Sequence, residues 1–405
     1  MVNLHEMTGL LETHRETISM WMKKKRNEVP IPIYGSVDVR DAGWKVGVVD
    51  ANHFPAGFNN VAKENFNELS QLFREHISRN HPTCSWIHIL PESHTRNQAY
   101  VENIATIKDM IEHAGFRCTV GSLALNEFPA LNGISGPLVL SAVRINDADV
   151  ITVNGDEPDL ILLNNDLTEG LIPGISPTKT TPPPHMGWYR RRKSHHYQAL
   201  RPYVTEMANI LGIDPWLLMP EWFVSEDKCL TEDPCKIRLA AEIDEFLEKL
   251  RTKYNSLGIK REPTAVIKND SGTYGLGVMM LTSGKDILNL SNRKANQLRY
   301  AKGGAQVENY LIQEGIPTAL TSQQGETLEP VIYLVDGEAA SWFYRINAKK
   351  SDMDNLNSPS ARFEHYPDDA NPFVLQAHGW HALVAELSMI AMGAEALLAQ
   401  SENTV

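Results

Sequence analysis

The stretch "AVIKNDSGTYGLGVMML", residues 265–281, is the part of the sequence that indicates the fold most clearly. Its first apolar run closes with Lys268, a polar loop follows, and a second apolar run resumes at Val278. The loop carries Gly272, Gly275 and Gly277. A Walker A loop places its lysine after the glycines, and a dinucleotide fingerprint needs GxGxxG opening a helix, so neither motif matches. The order predicts two strands joined by a glycine-rich turn over 268–278, with the lysine at the end of the first strand.

Such a hairpin suits a triphosphate. Glycines let backbone N–H groups approach phosphate oxygens closely, and a lysine supplies positive charge. An ordinary surface hairpin, whose glycines only satisfy turn geometry, is the alternative. The sequence order downstream must separate the two interpretations.

The composition excludes several classes of protein. The chain has 405 residues, 42% hydrophobic and 22% charged, which is typical of a globular protein with two or three domains. A formal net charge of −12 argues against a nucleic-acid-binding protein, although a local basic pocket for a small anion remains compatible with it.

The compartment follows from the cysteines and the apolar runs. Four cysteines without a CxxC pair predict free thiols in a reducing compartment. We find no apolar stretch approaching the ~18 residues that span a bilayer. We therefore expect a cytoplasmic protein without a membrane partner.

Periodicity divides the chain into two regions. In residues 1–180, apolar strands alternate with amphipathic helices, which predicts a layered α/β domain with a mostly parallel sheet and a pocket beyond the strand ends. The proline-rich segment "IPGISPTKTTPPPHMG", residues 172–187, then breaks the periodicity. We place the boundary there, with the nucleotide-binding region over 181–405.

Three further segments follow the glycine-rich turn, and their order along the chain indicates a fold. "NYLIQEGIPT" (309–318) reads as a strand that ends in a hinge, and "EPVIYLVDGEAASWFYRIN" (329–347) as a hairpin around Asp336-Gly337. "DNLNSPSARF" (354–363) gathers amides, an acid and an arginine. This order has the layout of an ATP-grasp fold, in which two α+β lobes grip ATP.

With these segments the chain resembles the proteobacterial glutamate-cysteine ligase family of the ATP-grasp type. Further matching stretches are "SVDVRDAGWKVGVVDANHFPAGFNN", "PESHTRN", "NGDEPDLILLNNDLTEG" and "GWYRRRKSHH", so the likeness runs from Ser36 to Glu364. It implies an ATP-grasp fold after an N-terminal α/β domain, and ATP with Mg²⁺ as cofactors. The implied reaction joins glutamate to cysteine through γ-glutamyl phosphate, giving γ-glutamylcysteine, the first step of glutathione synthesis.

Two other functions stay open. The chain could be an ATP-grasp ligase for a different amino acid pair, or a nucleotide-binding regulatory protein without catalysis. The expected partners are small molecules, namely glutamate, cysteine and ATP. A homo-oligomer is possible, and the sequence does not fix the oligomeric state.

The resemblance and the local chemistry suggest site residues in four groups. Lys268 and Arg345 are the catalytic candidates, because positive charge must face the transferred phosphoryl group. The candidates for nucleotide binding are Lys268, Gly272, Thr273, Tyr274, Gly275, Gly277, Gln313, Glu314 and Ile316. The candidates for binding the amino acids are Asp38, Arg40, Lys45, Asn52, Asn59, Asn60 and Arg96. The magnesium candidates are Glu329, Asn355 and Asn357.

Competing structural roles remain for several of these residues. Glu314 fits a solvated turn as well as it fits a contact with the nucleotide. Arg345 fits a salt bridge across the sheet nearly as well as it fits a contact with phosphate. The basic run 190–193 could reach the phosphates, but a solvated helix face is the favoured interpretation. "NLN" (355–357) places asparagine where ATP-grasp enzymes commonly carry a carboxylate, which weakens the metal assignment.

Overall fold

A computed structural model describes residues 3–225, 230, 232–271, 277–299, 309–322, 324–357, 360–365 and 372–401. Within these ranges the helices are α1 (Gly9–Thr13), α2 (Arg15–Glu28), α3 (Phe66–Asn80), α4 (Gln98–His113), α5 (Lys193–Leu211), α6 (Asp233–Ser256), α7 (Lys285–Leu288), α8 (Asn292–Arg299) and α9 (Pro372–Ser401). The expected class, a mixed α/β protein with several sheets, is confirmed.

The strands of the described residues form three larger sheets and two short hairpins. They are β1 (Tyr34–Asp41), β2 (Val46–Asn52), β3 (Trp86–Pro91), β4 (Arg117–Val120), β5 (Ala130–Asn132), β6 (Pro137–Val139), β7 (Val143–Ile145), β8 (Ile151–Val153), β9 (Leu160–Asn164), β10 (Thr180–Thr181), β11 (Trp222–Ser225), β12 (Ala265–Asn269), β13 (Met279–Leu281), β14 (Tyr310–Glu314), β15 (Leu328–Val335), β16 (Glu338–Ile346) and β17 (Arg362–Glu364).

The predicted parallel sheet of the N-terminal region is present, with strand order β10-β9-β3-β4 and parallel pairing throughout. Its strands β3 and β9 are buried along their whole length, as their mostly apolar sequences predict for a sheet covered on both faces. Helices α3 and α4 pack beside it through Leu69, Phe73 and Ile104.

The strands β1 and β2 do not join that parallel sheet, and this part of the prediction is wrong. They lie in a five-stranded antiparallel sheet of order β17-β16-β15-β1-β2. Ser36 pairs with Tyr333, almost three hundred residues further along the chain. A single cut near residue 180 therefore separates strands of one sheet, and the predicted domain division stays a prediction.

Alternation along β15 shows how the antiparallel sheet divides the interior. Ile332 and Leu334 face a core that includes α9 and α5. Val331, Tyr333 and Val335 face the core built on α3, α4 and the parallel sheet. Because successive side chains of a strand point to opposite faces, this one strand contributes to both cores.

The third sheet, of order β11-β14-β12-β13, contains β12 and β13, the two strands predicted on either side of the glycine-rich turn. β12 and β13 pair antiparallel with Ile267 opposite Met279, which confirms the predicted strand–turn–strand order. The second predicted hairpin, around Asp336-Gly337, is also confirmed, with Val335 opposite Glu338.

Helix α9 corrects the expectation that no apolar stretch is long enough to span a bilayer. Within the described residues, Ala377–Gln400 passes that test of length and composition, yet 67% of its most apolar window is buried inside the protein. The helix packs against α5 and the five-stranded sheet. It is the central helix of a core.

The cysteines differ in part from the expectation. Cys84 and Cys118 are free, whereas Cys235 is disulfide-bonded. The expectation of free thiols is therefore wrong for Cys235.

Candidate functional site

A cavity of about 250 Å³ opens where the five-stranded antiparallel sheet meets the sheet that contains β12 and β14. Its walls combine charged and apolar side chains. They are Asp38, Arg40, Val49, Asp50, Lys193, Val266, Lys268, Asn269, Val278, Met280, Gln313, Glu314, Gly315, Ile316, Glu329, Arg345, Lys350, Met353, Asp354, Asn355 and Asn357. Residues predicted from five separate segments of the sequence thus line one cavity.

Two lysines approach the end of β2 inside this cavity. Lys268, on β12, donates from Nζ to the carbonyl oxygen of Val49 at 2.9 Å. Lys193, the first residue of α5, places Nζ 2.5 Å from Oδ1 of Asp50. Lys193 belongs to the basic run for which a solvated face was favoured, but its side chain is only 12% exposed.

The charged side chains of this group change one another's pKa values. Burial, together with the neighbouring ammonium of Lys193, lowers the pKa of Lys268 to about 8. Burial alone would raise the pKa of Asp50, but Lys193 and Lys268 outweigh it and hold that pKa below its usual value. The group carries an excess of positive charge at neutral pH, which is the electrostatic requirement of a phosphate site.

Two arginines hold one carboxylate on the cavity wall formed by the five-stranded sheet, the sheet to which Asp50 also belongs. Arg40 Nε lies 2.5 Å from Glu329 Oε2, and Arg345 Nη1 contacts Glu329 Oε1. The same nitrogen of Arg345 donates to Asp38 Oδ2 at 2.9 Å. The salt bridge across the sheet, foreseen as the alternative role of Arg345, is therefore present in a side chain that also lines the cavity.

The pKa values on this wall follow from burial and pairing. Burial opposes the charge of Arg345, yet Asp38 and Glu329 raise its pKa. Burial would raise the pKa of Glu329, but Arg40 and Arg345 lower it. Burial raises the pKa of Asp38 despite Arg345. Arg345 and Glu329 therefore keep their charges, whereas Asp38 ionises less readily than an exposed aspartate.

Glu314 and Lys45 form a buried ion pair behind the cavity wall. Lys45 Nζ lies 2.5 Å from Glu314 Oε2, and both side chains are almost wholly buried. The backbone N–H of Glu221 and the hydroxyl of Tyr254 also donate to this carboxylate. The group predicted to accept from ribose or adenine is thus occupied, and Lys45, predicted to bind substrate, does not line the cavity but lies over the Trp216 ring.

Gln313 presents a buried amide to the hinge region. Its side chain is 1% exposed, and among the residues that the structure describes neither amide atom meets hydrogen-bond geometry with a partner. The nearby Tyr197 hydroxyl donates to the carbonyls of Val48 and Val49. Because a buried amide without partners is costly, this side chain fits a bound polar group.

The three predicted magnesium ligands do not fit a Mg²⁺ site as they stand. Both oxygens of Glu329 are taken by arginines, and the side-chain oxygen of Asn355 accepts from the backbone N–H of Asn357. Among the residues that the structure describes, no group of three or more histidine, cysteine or acidic residues is placed to hold a metal ion. We derive no step through a metal.

Besides Lys45, four predicted substrate residues lie outside the cavity lining: Asn52, Asn59, Asn60 and Arg96. Asn52 pairs with Ser36 on β1, and Asn59 donates to Asn60. Arg96 is exposed in a separate shallow depression formed by residues 93–97. The structure does not bring Arg96 together with the lysines.

The glycine-rich turn is only partly described. Gly277 has a φ of 70°, a conformation that glycine adopts without strain. Gly272, Thr273, Tyr274 and Gly275 lie outside the described residues. Their predicted contact with a nucleotide stays a prediction.

Sequence reasoning missed several residues of the cavity. They are Asp50, Asn269, Lys350, Met353 and Asp354, and Lys193 was favoured for solvent. A signal existed for Asp50, because it lies in the polar end of β2 and the sequence predicts a pocket beyond the strand ends. No local signal places Lys193 beside Asp50, since the two are 143 positions apart.

The chain is similar to a known family of ligases over nearly its whole length. The family model described as "Glutamate-cysteine ligase" matches residues 9–396. A solved structure from Methylobacillus flagellatus KT, provisionally named a gamma-glutamylcysteine synthetase, is 31% identical with a TM-score of 0.86, covering 98% of this chain and 96% of that one. A search of curated proteins found no match.

Two further solved structures are much less similar. A glutathione synthetase-like effector from Globodera pallida is 9% identical (TM-score 0.37; 89% of this chain, 81% of that one). A D-alanyl-alanine synthetase A from Vibrio cholerae is 10% identical (TM-score 0.29; 74% and 80%). These identities and TM-scores are too low to indicate a shared fold or function.

Proposed function

Because this chain belongs to the glutamate-cysteine ligase family, we propose that it joins L-glutamate to L-cysteine at the expense of ATP. The product is γ-glutamylcysteine, the precursor of glutathione. We further propose an ATP-grasp arrangement, in which the antiparallel sheet of β1, β2, β15 and β16 and the sheet of β12 and β14 hold the nucleotide between them.

The chemistry explains the need for ATP. A carboxylate is a poor electrophile, so an oxygen of the glutamate side chain first attacks the terminal phosphorus of ATP and ADP leaves. The cysteine nitrogen then attacks the acyl carbon of γ-glutamyl phosphate. The tetrahedral intermediate expels phosphate, and the amine loses one proton. The protein contributes by positioning the reactants and neutralising charge.

One observation carries the proposal: Lys193 and Lys268 converge on Asp50 and Val49 inside one cavity. Two ammonium groups beside a single carboxylate leave positive charge for an anion. A triphosphate satisfies it, and its oxygens take over the hydrogen bond that Lys268 gives to a backbone carbonyl.

The hinge after β14 is proposed to hold adenine. Gln313 to Ile316 lie on the cavity wall, and the Gln313 amide offers one buried acceptor and two buried donors. Adenine edges require a donor and an acceptor side by side. The backbone of 314–316 contributes here, because the Glu314 carboxylate is bound to Lys45.

The wall formed by β1, β15 and β16 is proposed to hold the amino acids. Asp38 suits an ammonium group, while Arg345 and Arg40 supply positive charge for carboxylates. Arg40 also fixes residues 352–354, since its Nη1 and Nη2 donate to the carbonyls of Asp352 and Asp354. Asn52, Asn59 and Asn60 remain proposed neutral partners, and participation of Mg²⁺ stays a prediction.

An isotope experiment tests this mechanism. Glutamate labelled with ¹⁸O in its side-chain carboxylate is incubated with ATP, cysteine and the protein, and the phosphate released is analysed by mass spectrometry. The acyl-phosphate route predicts that each phosphate carries one labelled oxygen. Unlabelled phosphate, with γ-glutamylcysteine formed, would rule out γ-glutamyl phosphate.

A further inference from the structure

The side chain of Asp270 joins the end of β12 to the beginning of α5. Its Oδ1 accepts the backbone N–H of Ser194 at 2.8 Å, and its Oδ2 accepts the Ser194 hydroxyl at 2.7 Å. Its backbone carbonyl accepts the N–H of Lys193, also at 2.8 Å. Asp270 is 2% exposed, so these bonds form a buried junction between two parts of the chain.

Helix α5 needs an acceptor at this end. The first N–H groups of a helix have no partner within it, and a side chain at the residue before the helix normally supplies one. That residue is Arg192, which has no acceptor atom and makes no such bond. Asp270 supplies the missing cap from 76 positions away, and its negative charge also favours the positive end of the helix dipole.

The junction lies between the two cavity lysines. Lys193 directly precedes Ser194, and Lys268 lies two residues before Asp270. Their ammonium groups both reach residues 49–50 of β2. A shift of α5 relative to β12 would therefore move one ammonium group away from the other.

We propose that Asp270 is a positioning residue that sets the spacing of Lys193 and Lys268 for the phosphates of the nucleotide. The inference rests on the proposed function, because it assumes that these lysines bind ATP. Asp270 does not line the cavity, so it acts through the lysines. Positioning matters because a displacement of ~1 Å can cost ~10²-fold in rate.

The experiment compares Asp270→Ala, Asp270→Asn and Ser194→Ala with a matched control, Asp159→Ala. The Asp159 carboxylate makes the same type of contact, accepting from the N–H and hydroxyl of Ser85 and from the N–H of Trp86, but it does not line the cavity. Calorimetry measures binding of the ATP analogue AMP-PNP. Steady-state kinetics measure kcat and the KM for each substrate, and thermal unfolding gives Tm.

Asp270→Ala should weaken AMP-PNP binding and raise the KM for ATP by about tenfold or more, with a small effect on the KM for glutamate and cysteine. Asp270→Asn keeps an acceptor for the Ser194 N–H and should restore most of the affinity. Asp159→Ala should lower Tm without changing AMP-PNP affinity. Wild-type affinity in Asp270→Ala, no rescue by asparagine, or an equal loss in Asp159→Ala would each overturn the proposal.

Two further outcomes are decided in advance. If Asp270→Ala does not fold, Ser194→Ala decides: weaker AMP-PNP binding at unchanged Tm supports the inference, and unchanged binding overturns it. A wild-type protein that binds AMP-PNP but forms no γ-glutamylcysteine contradicts the proposed function and leaves this test intact. A wild-type protein that binds no AMP-PNP overturns both.

Discussion

Lys193 and Asp50 form an ion pair at 2.5 Å between Nζ and Oδ1, and both line the cavity that also contains Lys268. The pair holds the start of α5 against the end of β2. In the proposed reaction, the phosphates of ATP compete with Asp50 for the same ammonium group. Asp50 thereby keeps Lys193 in place before the nucleotide arrives.

Replacement of Lys193 by methionine should lower kcat/KM for ATP by about 10²-fold, because a fixed charge facing the phosphoryl group is lost. Methionine keeps much of the apolar length of lysine, but Asp50 loses its ion-pair partner, so Tm should fall while the variant stays folded. The control is Lys249→Met, since Lys249 is 71% exposed and pairs within α6. Equal kcat/KM values for both variants would exclude Lys193 from phosphate binding.

The pKa of Lys268, lowered to about 8 by burial and by Lys193, predicts a pH dependence of ATP binding. A lysine is charged below its pKa, so the KM for ATP should rise as the pH increases from roughly 7 to roughly 9. Arginine keeps its charge over this range. A Lys268→Arg variant should therefore have a KM for ATP that is insensitive to pH in this interval.

Replacement of Lys268 by alanine should lower turnover by orders of magnitude without unfolding the protein. Circular dichroism and Tm serve as controls for folding. Unchanged turnover in Lys268→Ala would contradict the role of this ammonium group.

The pH prediction has its own contradicting result. A wild-type KM for ATP that stays constant between roughly pH 7 and roughly pH 9 would show that the charge of Lys268 does not contribute to ATP binding.

Glu329 is predicted to hold Arg40 and Arg345 rather than a metal ion, since both its oxygens accept from these arginines. Glu329→Gln removes the shared charge and leaves two buried guanidinium groups repelling each other, so activity should fall. The Mg²⁺ concentration that gives half-maximal activity should stay the same. A large increase in that concentration would instead identify Glu329 as a metal ligand.

The buried carboxylate of Asp41 joins the two ends of the chain, because His5 and His381 both contact it, at 2.9 and 2.7 Å. Burial opposes its charge, but the two histidines lower its pKa. Asp41 is therefore charged at neutral pH. Asp41→Asn should reduce the free energy of unfolding by about 3 kcal/mol, as measured by urea denaturation.

The bond to Asp41 raises the pKa of His5, although burial opposes it. A raised folded pKa stabilises the protein fully below the unfolded value, and this stabilisation is lost as the pH rises through the folded value. His5→Ala should therefore cost more stability at roughly pH 6 than at roughly pH 9. His14→Ala, outside this cluster, is the control; an equal cost at both pH values would refute the charged pair.

Local patterns predicted the elements of the fold better than their partners. The lysine-glycine order predicted the β12–β13 hairpin, and Asp336-Gly337 predicted the turn between β15 and β16. The pairing of β1 with β15 could not be predicted, because it joins residues such as Asp38 and Val331 that share no local signal. Strand registry over such a distance is decided by tertiary packing.

The chemistry of the side chains predicted which residues line the cavity but not how they are oriented, and their binding roles stay predictions. Lys268, Arg345, Asp38 and Glu329 line one cavity as candidates, since charged groups at strand ends are costly unless they are paired or used. Lys45 and Glu314 have the same chemistry but form a buried ion pair with each other. A sequence does not show which charges pair among themselves.

The release of phosphate from ATP, measured across a panel of paired amino acids, shows whether the protein is a ligase specific for glutamate and cysteine. We predict release only when glutamate and cysteine are both present, with one γ-glutamylcysteine formed per phosphate. Release with a different pair would assign the chain to another ligation. Nucleotide binding without release for any pair would contradict catalysis altogether.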